Sequence, residues 1–229
     1  MSDTLARLAI TQSELFREWP DEAIARLLER SEVVVLEPKA YAYRAGAMPK
    51  CLSIVIAGSM SVLQDMPSGR NFTAGVCLPG DFHGLGPIIA QIPHIYTVVC
   101  KEKTVLLQIS GEVLRDVIAG NGRLSFSLFA ALERRHIQAI NLHASAAVNS
   151  TQARIAALLR SIDARSVRGR SAVGINLSQD ELATMLGTRR QVVNRVLREM
   201  AVGGAIRVEY GRIAIVDEDK LGKMMQDTN

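Results

Sequence analysis

The chain has no run of about 18 apolar residues, so no membrane-spanning helix is expected. Its opening, Met-Ser-Asp-Thr-Leu-Ala-Arg, lacks a basic segment followed by an apolar stretch, and no secretory leader is expected there. Cysteine is scarce. Cys51, Cys77 and Cys100 are an odd set without C-x-x-C spacing, which argues against a disulfide framework and for buried thiols in a reducing compartment. His83, His94, His136 and His143 show no H-x-H spacing with a carboxylate, so the ligand set of a metal-dependent enzyme is missing. No metal and no catalytic residues are expected, and the cytoplasm is the compartment that fits.

What the chain does contain is ordinary globular composition: 48% hydrophobic and 22% charged over 229 residues, enough for one large or two medium domains. The net charge is +4, and its location is informative. Residues 150–229 carry 13 Lys/Arg against 9 Asp/Glu, while residues 1–149 carry 14 against 14. The whole excess lies in the C-terminal third, as an electrostatic footprint on phosphate requires, although a solvated basic face would give the same count.

Periodicity divides the chain. Residues 4–31 read as short amphipathic helices, reset at Trp19-Pro20-Asp21. From Val33 to Ile109 short β-type runs follow: Val33–Leu36, Leu52–Ile56, Met60–Leu63, Thr73–Val76, Tyr96–Val99 and Val105–Ile109. Turn residues separate them at Ala45-Gly46, Ala57-Gly58, Pro67-Ser68-Gly69 and Pro79-Gly80. Many short strands with regular turns predict a jelly roll or double-sheet barrel. A helix over about 111–118 comes next, then Asn121 as a cap for a long helix to about Val148. Its positions Leu124, Leu128, Ala131, Arg135, Gln138, Leu142 and Ser145 form a coiled-coil-like stripe and are the expected dimer seam. The competing use of such a helix is to lie on its own barrel, a role assigned to Phe126 and Phe129. Ser150 is placed to cap a further helix over 152–163.

Residues 177–215 carry the chemistry. Ser178 and Glu181 have capping-box spacing, with Leu177 and Leu182 at the positions of a hydrophobic staple. Gly187 ends this helix, and a second follows with Val193, Val196, Leu197 and Met200 at core spacing. Arg190, Gln191, Asn194, Arg195 and Arg198 fall on the opposite side, where Glu199 is the only acid. After Gly203-Gly204, alternating Ile206, Val208, Ile213 and Ile215 predict a hairpin turning at Tyr210-Gly211. This is the pattern of a winged helix-turn-helix that reads duplex DNA, with Arg207 and Arg212 placed to touch the backbone. A version that binds protein instead would need an apolar recognition face, which this sequence does not offer.

The stretch from Gly187 to Leu197 (GTRRQVVNRVL), with Gly46, Gly58, Gly69 and the run Gly80-Asp81-Phe82-His83-Gly84, resembles the Crp/Fnr superfamily of bacterial transcription regulators. The resemblance covers nearly the whole chain, and Asn121 to Ala156 matches the family's long dimer helix and hinge without a gap. It implies an α+β fold: a cyclic-nucleotide-binding-type β jelly roll as effector or sensor domain (1–120), a dimerisation helix and hinge (121–149), and a winged helix-turn-helix (150–229). It further implies a homodimer on double-stranded DNA, recognition helices in successive major grooves of a near-palindromic operator, and RNA polymerase as a partner if the protein activates. The family's base readers, Arg-Glu-x-x-x-Arg, match Arg190, Gln191 and Arg195. Ser178, Thr188, Arg189, Asn194, Arg198 and Arg212 are the expected backbone or secondary contacts. Gln191 departs from the family glutamate; glutamine pairs best with adenine, where glutamate accepts from cytosine. Its competing use is a capping box with Thr188.

The resemblance stops at the effector. Gly84 is present, but Leu85 stands where cyclic-AMP binders have a ribose-binding glutamate. His94-Ile95-Tyr96 replaces the phosphate-binding Arg-Ser, and Ala139-Ile140 replaces the adenine-contacting Thr-Ser. A buried phosphate would lack its counter-charge, so cyclic AMP is not the expected effector. A cyclic nucleotide in a different kind of pocket is the alternative reading. Another is an apolar or aromatic effector among Gly84, Leu85, Ile88, Ile89, Ile95, Tyr96, Ala139 and Ile140; a third is a filled core with no ligand. The cysteine cluster that iron–sulfur sensing requires is absent before Cys51, and haem would have to use His83 or Met48.

Overall fold

Trp19-Pro20-Asp21 does separate two helices. In the computed structural model, which describes residues 2–66, 71–165, 174–209 and 211–226, α1 is Ser2–Gln12 and α2 is Asp21–Glu29. Proline at position 20 is extended and serves as the N-cap of α2, since it cannot continue a helix from the preceding turn. The Trp19 indole donates a 2.7 Å hydrogen bond to the Ser127 hydroxyl, tying this segment to a helix over a hundred residues later.

All six expected strands are present, most a residue or two longer than periodicity gave. They are β1 Ser31–Leu36, β3 Cys51–Ala57, β4 Met60–Asp65, β5 Asn71–Cys77, β7 Thr97–Cys100 and β8 Thr104–Ser110. Two more, β2 Tyr41–Tyr43 and β6 Phe82–His83, are too short to show an alternation. The eight form two antiparallel sheets, ordered β1-β8-β3-β6 and β2-β7-β4-β5, the expected jelly roll. Strand β3 reads as an almost continuous apolar run because both of its faces are covered. Leu52 and Ile54 join Leu107 and Ile109 of β8 under the helices, whereas Val55 and Leu106 point into the space between the sheets with Met60 and Val98.

Between β6 and β7 lies a short helix, α3 (Leu85–Ala90), which the sequence reading did not separate. Then come α4 (Gly111–Gly120) and the long α5 (Leu124–Val148), preceded by Asn121, whose side chain accepts from the Arg123 amide. The chain divides into two compact units, 1–134 and 135–229, so the boundary falls inside α5 rather than at either end of it.

In the second unit, α6 (Thr151–Arg165) is capped by Ser150, whose hydroxyl accepts from the Ala153 amide. The helix-turn-helix follows as α7 (Gln179–Met185) and α8 (Arg190–Val202). The wing is β10 (Ile206–Glu209) paired with β11 (Arg212–Ile215), Ile206 opposite Ile215 and Val208 opposite Ile213. Two elements were not foreseen. Strand β9 (Ile175–Asn176) adds to the outer side of β11, and α9 (Glu218–Met224) closes the described chain. Tyr210 and the basic loop 166–173 lie outside the described residues.

Candidate nucleic-acid interface

The start of α7 is fixed by its own side chains. The Ser178 hydroxyl accepts from the Glu181 amide at 3.2 Å, and the Glu181 carboxylate accepts from the Ser178 amide at 2.9 Å, completing the capping box. Leu177 and Leu182 are both buried, as a hydrophobic staple requires. At the other end Gly187 has φ +61°, a left-handed conformation that a side chain would strain. The Thr188 amide donates back to Ala183, and Arg154 of α6 donates from Nη2 to the Leu186 carbonyl, satisfying acceptors that the helix end would otherwise leave open. The turn between the two helices is therefore held by backbone bonds and by a cation from a third helix.

Four apolar residues of α8, Val193, Val196, Leu197 and Met200, are buried. Opposite them Arg190, Gln191, Arg195 and Arg198 are exposed, and Asn194 is half-buried. The N-cap of α8 is Arg189, with no side chain capping it, so the proposed Thr188–Gln191 box does not form and Gln191 stays on the exposed face. Ser178 is exposed but spends its hydroxyl on the cap; Thr188 is half-buried and Arg189 exposed. Ion pairs hold several of these side chains. Arg190 Nη1 is 3.3 Å from the Asp180 carboxylate, Arg195 Nε is 3.9 Å from Glu199, and Arg207 Nε is 3.0 Å from Glu209 on the same strand. Asp180 was not singled out from sequence. The signal was available: an acid in the first turn of α7, ten residues before the first expected base reader.

The first unit corrects two expectations. Leu124, Leu128 and Ala131 do not form an exposed seam: they are at most 5% exposed and belong to the core with α1, α2 and α4. Phe126 and Phe129, expected on the barrel, are 75% and 72% exposed. A helix turns 100° per residue, so 124, 128 and 131 share one side, while 126, 129, 137, 140 and 148 fall on the other. Ile137, Ile140 and Val148 are exposed as well. Both stripes are apolar, and the stripe expected to be the seam is the one buried within the chain. Arg135 is half-buried and Gln138 exposed; the side chain of Leu142 lies outside the described residues.

Within the first unit the expected effector residues differ in burial and do not share one lining. Gly84 has φ +97° and packs so closely that an added Cβ would sit 3.1 Å from the Cys51 carbonyl oxygen. Leu85 and Ile88 of α3 are 2% and 0% exposed, buried in the same core as Leu52, Leu107 and Leu114. Ile95 points outward, Tyr96 is half-buried, and Ile89, Ala139 and Ile140 are exposed. Beside Gly84 stands an aromatic group: Tyr43 lies 4.4 Å from His94 and 5.1 Å from His83 between ring centroids. Burial lowers the His94 pKa and pushes the Tyr43 phenol far above its usual value. Burial also raises the thiols of Cys51 and Cys100, which disfavours the reactive thiolate. Among the described residues no three of His, Cys, Asp or Glu are grouped to hold a metal, and no helix is long and apolar enough to cross a membrane.

Comparison with known proteins agrees with this architecture. Residues 33–121 match the cyclic nucleotide-binding domain, and residues 153–224 match the Crp-like helix-turn-helix domain. A CRP-like cAMP-activated global transcriptional regulator of Mycobacterium tuberculosis is 26% identical over 226 residues, 97% of this chain and 99% of that one. Among solved structures, FixK2 from Bradyrhizobium japonicum shares the fold at a TM-score of 0.73 and 18% identity, over 85% of this chain and 96% of that one. The catabolite activator protein of Thermus thermophilus aligns over 93% of this chain and 98% of its own, with a TM-score of 0.51 and 23% identity. With a sensor-type barrel and a DNA-binding output domain in this order, the chain belongs to the Crp/Fnr family of transcription regulators and is not an enzyme.

Proposed function

We propose that this regulator works as a homodimer in the cytoplasm, placing α8 of each subunit in the major groove of a near-palindromic operator. The observation that carries this reading is the division of α8: one side buried in the helix-turn-helix, the other presenting Arg190, Gln191 and Arg195 to solvent. Arginine can give two hydrogen bonds to guanine O6 and N7, and an uncapped, exposed Gln191 is available to adenine N6 and N7. Arg189, Asn194, Arg198 and Arg212 are the candidates for phosphate and secondary contacts. The exposed stripe of Phe126, Phe129, Ile137, Ile140 and Val148 supplies the dimer seam, since an apolar row of this length left in water is costly.

Cyclic AMP is not the effector in this reading, even though the M. tuberculosis relative is cAMP-activated. Leu85 is committed to the core where a ribose ligand would be needed. Two described arginines of this domain are engaged elsewhere: Arg44 stacks 3.6 Å above the Tyr41 ring, and Arg115 donates to the Ile88 carbonyl. An electrophoretic mobility shift on genomic fragments across a salt series tests the assignment. Affinity should fall steeply with salt as phosphate counterions are released, and binding indifferent to salt would reject it. Adding cyclic AMP to the same series should leave the operator affinity unchanged.

A further inference from the structure

We propose that Asp180 is a positioning residue for base recognition, holding the Arg190 guanidinium in the orientation that reads one base pair. This rests on the DNA-reading assignment above. Asp180 is the second residue of α7 and Arg190 the first of α8, and their side chains meet at 3.3 Å across the turn. The two helices are locked to each other by Leu182, Leu186, Val193 and Leu197, all buried, and by the backbone bonds of the Gly187 turn. The carboxylate therefore sits at a fixed place, and the arginine is held by it.

The chemistry of the fork explains what this achieves. A guanidinium has five N–H donors. Asp180 engages Nη1, which leaves the Nε–Nη2 edge, two parallel donors, to meet guanine O6 and N7. A long arginine side chain loses rotamer freedom when it settles on a base, and an arginine already held loses less. Stability does not account for the pair: both side chains are about two-thirds exposed, and such pairs contribute little to folding. Arg195 is held less tightly, with Nε 3.9 Å from Glu199 one turn along its own helix.

A carboxylate at a DNA-facing surface also repels phosphate, so it lowers affinity for every sequence. Removing it should move affinity and discrimination in opposite directions. The test uses full-length Asp180→Asn and Asp180→Ala, with thermal unfolding as the control for the fold. Binding is measured to the selected operator and to versions changed at each base pair in turn; the pair read by Arg190 is the one whose preference disappears in Arg190→Ala. At that pair discrimination should fall about three- to tenfold, part of the range a bidentate contact supplies, while other pairs keep their preferences and unrelated DNA binds more tightly. In an Arg190→Ala background, Asp180→Asn should change no base preference, since there is no fork left to position. An equal rise in affinity for all sequences would make Asp180 a repulsive charge only and overturn the proposal. Loss spread over several base pairs would overturn it too, as would a persisting effect without Arg190. A wild-type protein with no sequence preference would remove the DNA-reading assignment and this proposal together.

Discussion

In the C-terminal unit, residues assigned to packing are buried and Arg190, Gln191 and Arg195, assigned to recognition, are exposed. In the N-terminal unit several assignments invert. Leu85 and Ile88, expected to line a pocket, fill the core; Leu124, Leu128 and Ala131, expected to meet a partner, pack at home; Phe126 and Phe129, expected to pack at home, face solvent. Helix α8 pairs one apolar face with one polar face, so its pattern has a single solution. Helix α5 has two apolar faces, and periodicity shows that a face wants covering without showing what covers it.

The two faces of α5 can be separated by mutation, and here the largest effects are expected. Leu128→Ala should cost about 2–5 kcal/mol in urea unfolding, because it opens a cavity under α2 and α4. Measuring it in the Phe126→Glu/Phe129→Glu background reads the inner face alone. The double glutamate variant itself should sediment as a monomer with unchanged circular dichroism and bind operator at least about tenfold more weakly, since a dimer gains from holding two half-sites at once. A double variant that stays dimeric would move the seam elsewhere on the molecule.

The recognition face offers the next effects. Arg195→Ala should remove roughly 1–3 kcal/mol of discrimination at one base pair, seen as a flattened preference in site selection. Gln191→Glu should exchange a preference for adenine for one for cytosine. An unchanged selected site after that exchange would assign Gln191 to a non-reading role.

How much of this was legible follows from the number of uses each residue type has. The helix-turn-helix, its capping box, the Gly187 turn and the paired wing strands were readable because each depends on local spacing. The six longer strands were readable for the same reason. Strands β2, β6 and β9 have two or three residues, too few to display a period, and exist through pairing with distant partners. The pocket was illegible for a different reason: Leu85 shows that a polar contact is missing, but not whether its replacement faces a ligand or the core. Asp180 was missed because an exposed acid at a helix start is usually explained by the helix dipole alone.

A smaller effect isolates the local side of the comparison. Ser178→Ala breaks the capping box and should cost about 1 kcal/mol, with Ser178→Asp retaining most of the stability. If the alanine variant is as stable as the parent, the Arg154 bond at the far end of α7 and the leucine staple suffice to hold the helix.

The smallest effect concerns pH and belongs to the barrel. His94 is 3% exposed, and its Nδ1 has no hydrogen-bond partner among the described residues. Its backbone is pinned on both sides, the His94 amide donating to Ala47 and its carbonyl accepting from Gly46. A protonated ring there would carry a buried charge with nothing to receive its second N–H, and burial accordingly lowers its pKa. The unfolded chain then binds a proton that the folded one refuses, so the contribution of His94 is complete above about pH 6.5. It is lost as pH falls from there toward the lower folded value. His94→Gln should flatten stability against pH in that window while leaving the slope above pH 7 alone. A His94→Gln variant that keeps the parent's slope below about pH 6.5 would show that the slope comes from overall charge and not from the buried ring.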